Sequence, residues 1–132
     1  MDAAALADLL GQLGYPAGAG AVESRLERLV IVGDRVIVAE LDGRVAGFAH
    51  LHVSPSIEYD RPAAKLSALV VAESLRGKGV GRALVQEAEA EARTRGCVLL
   101  FLTTAARRKD AHEFYAALGL EETGKRFAKQ LD

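Results

Sequence analysis

Along residues 2–13, Leu6, Leu9, Leu10 and Leu13 recur at the spacing that puts them on one side of a helix, with Asp2 placed to cap it and Gly14 to stop it. A loop punctuated by Gly14, Pro16, Gly18 and Gly20 follows, then a second helical stretch from about Val22 to Leu29. The pattern then changes. Val36 to Leu41 and Arg44 to Val53 read as two strands of a hairpin, joined by Asp42-Gly43, which suits the positive backbone angles of a type I′ turn. Lys65 to Val71, apolar and rich in β-branched residues, predicts a third strand.

From Gly79 to Arg95, Val80, Leu84, Ala88 and Ala92 repeat every four residues opposite Arg82, Gln86, Glu87, Glu89, Arg93 and Arg95, which predicts a helix with one apolar stripe. Gly96 ends it. Cys97 to Leu102 is wholly apolar, as expected of a short strand covered on both faces. Strand, helix and strand in this order make a βαβ unit with parallel strands. A last helix is expected to open at Asp110, with Glu113 completing a capping box, and to close at Gly119. A final strand is expected over Phe127–Leu131. The fold class is therefore α/β.

Composition narrows the setting. The 132 residues fit one domain spanning 1–132 and one core, and with aromatics at 5% that core must be built from Leu, Val and Ala. Seventeen basic and eighteen acidic residues leave a net charge of -1, which argues against a nucleic-acid or membrane-surface partner. The single cysteine, Cys97, has no intramolecular disulfide partner and reads as buried in a strand in a reducing compartment. No basic leader opens the chain, and no apolar run approaches the ~18–20 residues of a membrane span, so a cytoplasmic location is expected.

The candidate chemistry centres on Leu69-Val70-Val71-Ala72-Glu73-Ser74-Leu75-Arg76-Gly77-Lys78-Gly79-Val80-Gly81-Arg82, which joins a strand to a helix through glycines. Such a turn leaves backbone N–H groups unpartnered beside the positive end of a helix dipole, where a phosphate can approach. Arg76, Lys78 and Arg82 add charge. A glycine-rich tight turn with solvated basic residues is the plainer explanation of the same stretch. Arg82 stands where a dinucleotide fingerprint needs its last glycine, and no Gly-Lys-Ser/Thr follows for a nucleotide-triphosphate loop.

Arg76-x-x-Gly79-x-Gly81 after Leu69-Val70-Val71, with Ala111-x-x-Phe114-Tyr115-x-x-x-Gly119-Leu120 later in the chain, resembles the GNAT superfamily of N-acetyltransferases. The resemblance implies a mixed, largely antiparallel central sheet flanked by helices, and acetyl-CoA as co-substrate. It implies that Leu69, Val70 and Val71 offer backbone hydrogen bonds to the pantetheine arm. Arg76, Gly77, Lys78, Gly79, Val80, Gly81 and Arg82 would hold the pyrophosphate. Tyr115 would approach the sulfur and serve the departing thiolate, although a phenol near pKa ~10 gives its proton to a thiolate near ~8.5 only at a cost of about 2 kcal/mol. The plainer role for Tyr115 is a half-buried aromatic paired with Phe114.

Attack on a thioester needs a neutral amine, so a proton must leave the ammonium. Relatives often carry an acid on the strand ending in the Val-Val pair, but Lys65-Leu66-Ser67-Ala68 holds none. His50 is named as the base, with His52, which shares its strand face, and the loop acids Glu58 and Asp60 as alternatives. His50 and His52 without a third ligand make no case for a metal, and none is expected. Tyr15 lies where relatives place substrate-side loop residues. Arg107, Arg108 and Lys109 are further candidates for phosphate.

Relatives usually begin with a short strand, whereas here the first helix follows Met1 at once; the sheet is then smaller, or its edge is covered by a second copy, which makes a homodimer an expected partner. The expected acceptor is a primary amine of a small molecule, as in acetyltransferases of aminoalkylphosphonates and aminoglycosides. A protein amine, a coenzyme A-binding module without catalysis, and an interaction domain without cofactor are the alternatives.

Overall fold

The structure, a computed structural model, describes residues 2–103, 109–124 and 127–131, which fall into two compact units divided between Phe101 and Leu102. The first unit opens with α1 (Ala3–Leu13), capped by Asp2, whose carboxylate accepts from the Ala5 N–H at 3.0 Å, and closed at Gly14. Helix α2 (Ala19–Ile31) extends beyond the predicted stretch at both ends. Strands β1 (Arg35–Leu41) and β2 (Arg44–Ser54) form the expected hairpin. Asp42 and Gly43 both take positive φ, 53° and 77°, which matches the twist of the two strands.

Strand β3 (Ala63–Val71) pairs antiparallel with β2, a short 3₁₀ turn (Glu73–Leu75) leads to α3 (Val80–Thr94), and β4 (Leu99–Phe101) returns parallel to β3. The sheet order is β1-β2-β3-β4, mixed and largely antiparallel, and among the described residues no strand precedes α1. Leu6, Leu9 and Val22 of α1 and α2 pack with Phe48 and Val70 on one face of the sheet. Helix α3 lies against β1, β2 and β3 through its buried stripe of Val80, Leu84, Val85, Ala88 and Ala92. Each such side chain, Leu or Val, withdrawn from water contributes about 1.5–3 kcal/mol.

Gly47 sets how closely these layers approach. A Cβ at this position would stand 2.5 Å from the Val70 carbonyl oxygen and 3.2 Å from a methyl of Leu84. Only glycine lets β2 pass there undistorted.

Three expectations are corrected. The strand predicted over Cys97–Leu102 covers only Leu99–Phe101, because the Cys97 N–H closes α3 on the Ala92 carbonyl and the Val98 N–H bonds Pro62 in a loop. Cys97 is only partly buried, and Leu99 and Phe101 remain partly exposed. Phe127–Leu131 is no strand, and Phe127 and Leu131 are exposed. In the second unit α4 (Lys109–Ala117) already includes Lys109, so Asp110 stands inside the helix and not ahead of it as a cap.

Candidate active site

Strand β3 carries the first element of the site. Its pairing with β4 stops at Lys65, opposite Phe101, while its pairing with β2 continues to Val71. Beyond Lys65 one edge of β3 has no strand partner among the described residues. A bulge follows: the register with β2 skips between His50 and Leu51, leaving Ser67 as the extra, exposed residue. The Ala72 N–H bonds the Ala46 carbonyl on the β2 side at 2.7 Å. Because backbone groups alternate along a strand, Val70 also faces β2, and the amides of Leu69 and Val71 turn to the open edge. An amide-bearing chain can lie there as an added strand.

The open edge runs into the glycine turn. Arg76, Gly77, Lys78 and Gly79 are exposed, Gly77 and Gly79 take φ of 81° and 83°, and no side chain caps the first turn of α3. The leading N–H groups of α3 are therefore without a side-chain cap among the described residues, beside the exposed Arg76, Lys78 and Arg82, a fit for an anion. Gln12 of α1 steadies the approach, its side-chain oxygen accepting from the Glu73 N–H at 2.8 Å.

On the face covered by α1 and α2, the turn before β1 supplies Asp34. Its Oδ2 meets Nε2 of His50 at 2.7 Å and its Oδ1 meets Nδ1 of His52 at 2.5 Å. The Asp34 side chain is 5% exposed, and those of His50 and His52 are 21% and 41%. Burial alone would raise the Asp34 pKa, but the hydrogen bonds and charge of the two histidines outweigh it, and the carboxyl titrates below its ordinary value. Asp34 also lines a cleft of about 290 Å³ between α2 and β1, with Glu23, Leu26, Glu27, Leu29, Val30 and Val36.

In the second unit, Tyr115 lies on α4 with its ring 5.3 Å from that of Phe114 at an interplanar angle of 66°, an edge-on contact. Its carbonyl accepts from the N–H groups of Leu118 and Leu120, closing the helix.

The acetyltransferase (GNAT) family model matches residues 6–120. The chain belongs to this family. A 90-residue segment, 68% of this chain, is 36% identical to an aminoalkylphosphonate N-acetyltransferase of Salmonella typhimurium. A segment of 91 residues, 67% of this chain, is 34% identical to an uncharacterized N-acetyltransferase of Methanocaldococcus jannaschii. The matches span 58% and 40% of those relatives' own lengths. The crystal structure of a Trypanosoma brucei acetyltransferase shares the fold, with a TM-score of 0.84 at 24% identity over 98% of this chain and 93% of that one.

Within this GNAT chain the residues singled out from sequence fall into separate places. Leu69, Val70, Val71 and the stretch from Arg76 to Arg82 form one continuous strand edge and turn. His50 and His52 sit on β2, across from β3, held by Asp34. Glu58 and Asp60 are exposed in the loop after β2 and are not part of that cluster. Tyr15 is 65% exposed and does not cover the core. Arg107 and Arg108 lie outside the described residues, and Lys109 opens α4. No group of three or more His, Cys, Asp or Glu among the described residues is arranged to hold a metal ion, and no helix among them is long and apolar enough to cross a membrane.

Sequence reasoning missed Asp34, Gln12 and Gly47. Gly33-Asp34 reads as a turn, and its proximity to two histidines sixteen and eighteen residues later exists only once β1 pairs with β2.

Proposed function

We propose that this protein transfers the acetyl group of acetyl-CoA directly to a primary amine of a small molecule. The observation that carries the reading is the open edge of β3 leading into the uncapped N-terminus of α3. One end offers amide partners to pantetheine through Leu69 and Val71, and the other offers N–H groups and Arg76, Lys78 and Arg82 to pyrophosphate. Val70 backs the edge from the β2 side, and Gly77, Gly79, Val80 and Gly81 shape the turn. Tyr115 is assigned the thiolate proton on its match to the family's late helix.

The amine is deprotonated at the Asp34–His50–His52 cluster, which stands in for the carboxylate missing from β3. An amine bearing a phosphonate is the acceptor to try first, since the Salmonella relative is named for such substrates. The chain works as one cytoplasmic domain in this reading. It also pairs as a homodimer: β1 ends the sheet with no strand beyond it among the described residues, and Val30, Ile31 and Val32, just before it in the chain, are 64–82% exposed.

Calorimetric titration with acetyl-CoA tests the site. One-per-chain binding that Gly79→Ala weakens, followed by thiol release with aminoalkylphosphonates, is the expected result. Absence of heat and of thermal stabilisation at about millimolar cofactor would remove the acetyltransferase reading.

A further inference from the structure

Asp34 joins the turn after α2 to the far end of β2 through two imidazoles. As an ionised carboxylate it only accepts, so the ring nitrogens facing it must carry hydrogens: Nε2–H in His50 and Nδ1–H in His52. The lone pairs are then left on opposite kinds of nitrogen. In His50 the free nitrogen is Nδ1, close to its own backbone, in the less exposed side chain. In His52 it is Nε2, at the tip of the more exposed ring and turned away from Asp34.

The position of the pair on β3 matters equally. His50 lies opposite Ala68 and His52 opposite Lys65, so the two bracket Leu66 and the bulged Ser67, where the open edge of β3 begins.

We propose that His52 is the catalytic base of the transfer reaction, accepting the amine's proton at Nε2, and that Asp34 is its positioning residue. This rests on the acetyltransferase reading above. An N–H bond of the alkylammonium breaks, the proton passes to Nε2 directly or through one water, and the electron pair stays on nitrogen for attack on the thioester carbon. The imidazolium is stabilised by Asp34 and loses its proton to solvent. His50, bonded to the other carboxylate oxygen, keeps Asp34 from rotating away from His52. The charged and titratable groups around His52 are Asp34 before β1, His50 on its own strand face, Lys65 opposite it on β3, and Glu23 and Glu27 of α2 along the cleft that Asp34 lines.

Two measurements test the assignment. Nitrogen-15 spectra of the imidazoles near neutral pH should show His50 protonated at Nε2 and His52 at Nδ1; the same tautomer in both rings overturns the geometry whatever the acceptor. With an aminoalkylphosphonate as acceptor, His52→Gln should lower kcat about 100-fold, with acetyl-CoA affinity by calorimetry unchanged, and His50→Gln should lower it less. Asp34→Asn should lower kcat and change the nitrogen-15 tautomer of at least one ring, because an asparagine amide has one acceptor oxygen where the carboxylate serves two imidazoles; a merely structural role would leave both tautomers in place. Wild-type kcat retained within threefold in His52→Gln overturns the assignment alone. Wild-type protein that binds acetyl-CoA but releases no thiol with any amine overturns the acetyltransferase reading, and this assignment with it.

Discussion

Asp34 Oδ1 and His52 Nδ1 stand 2.5 Å apart, joining the residue before β1 to the last third of β2 through a carboxylate that is almost wholly buried. Replacing it with asparagine keeps the shape and removes the charge. Asp34→Asn is expected to cost about 1–3 kcal/mol near neutral pH. The carboxyl titrates lower when folded than when unfolded, so its contribution is present above the ordinary Asp value of ~3.9 and is lost as pH falls through the lower, folded value. Urea melts of the two proteins near pH 7 should differ, and the difference should shrink in strong acid.

Two glycines should respond differently to the same methyl group. Gly47→Ala places a Cβ against the Val70 carbonyl, an overpacking that should cost about 1–3 kcal/mol and lower Tm while leaving the glycine turn from Arg76 to Arg82 in place. Gly79→Ala meets open space, yet its φ of 83° should cost about 1–2 kcal/mol, and the distorted turn should bind acetyl-CoA more weakly. Thermal melts with and without acetyl-CoA separate the two cases.

Glu91 links α3 to the strand and turn that present Asp34. It accepts from Arg95 at 2.7 Å and from Arg35, while Arg95 also donates to the Gly33 carbonyl at 2.9 Å. The Arg95 hydrogen bond leads in holding its carboxyl below the usual range; burial opposes it, and Arg35 adds to the lowering. Because both arginines are partly exposed, Glu91→Gln should cost only about 0.5–1 kcal/mol above the unfolded Glu value of ~4.3, fading as pH falls through the folded value. Melts at low and high salt check this, since the effect should shrink as salt rises.

Tyr115→Phe should slow thiol release while leaving acetyl-CoA affinity nearly intact, as the role proposed for its hydroxyl at the departing thiolate requires. A stopped-flow assay of free thiol beside a calorimetric titration reads both quantities.

Local rules account for much of this protein. The Leu spacing of α1 with its Asp2 cap, the Asp42-Gly43 hairpin, the apolar stripe of α3 and the glycine turn from Arg76 to Arg82 each depend on residues within a few positions of one another, so they are legible in order along the chain. The failures occur where a segment needs a distant partner. Cys97 and Val98 looked like strand but are used to close α3 and to bond Pro62, and Phe127–Leu131 forms no strand.

The same division holds for the candidate site. The turn proposed for phosphate is written in consecutive residues, whereas the edge proposed for the pantetheine arm depends on where the pairing of β3 with β4 stops, at Lys65 opposite Phe101. Asp34 is an unremarked turn residue until the pairing of β1 with β2 brings it to His50 and His52. Sequence alone determined the helices, the hairpin and the family. Tertiary structure decided which carboxylate meets which imidazole and where the sheet opens, because strand register brings together side chains that no local rule connects.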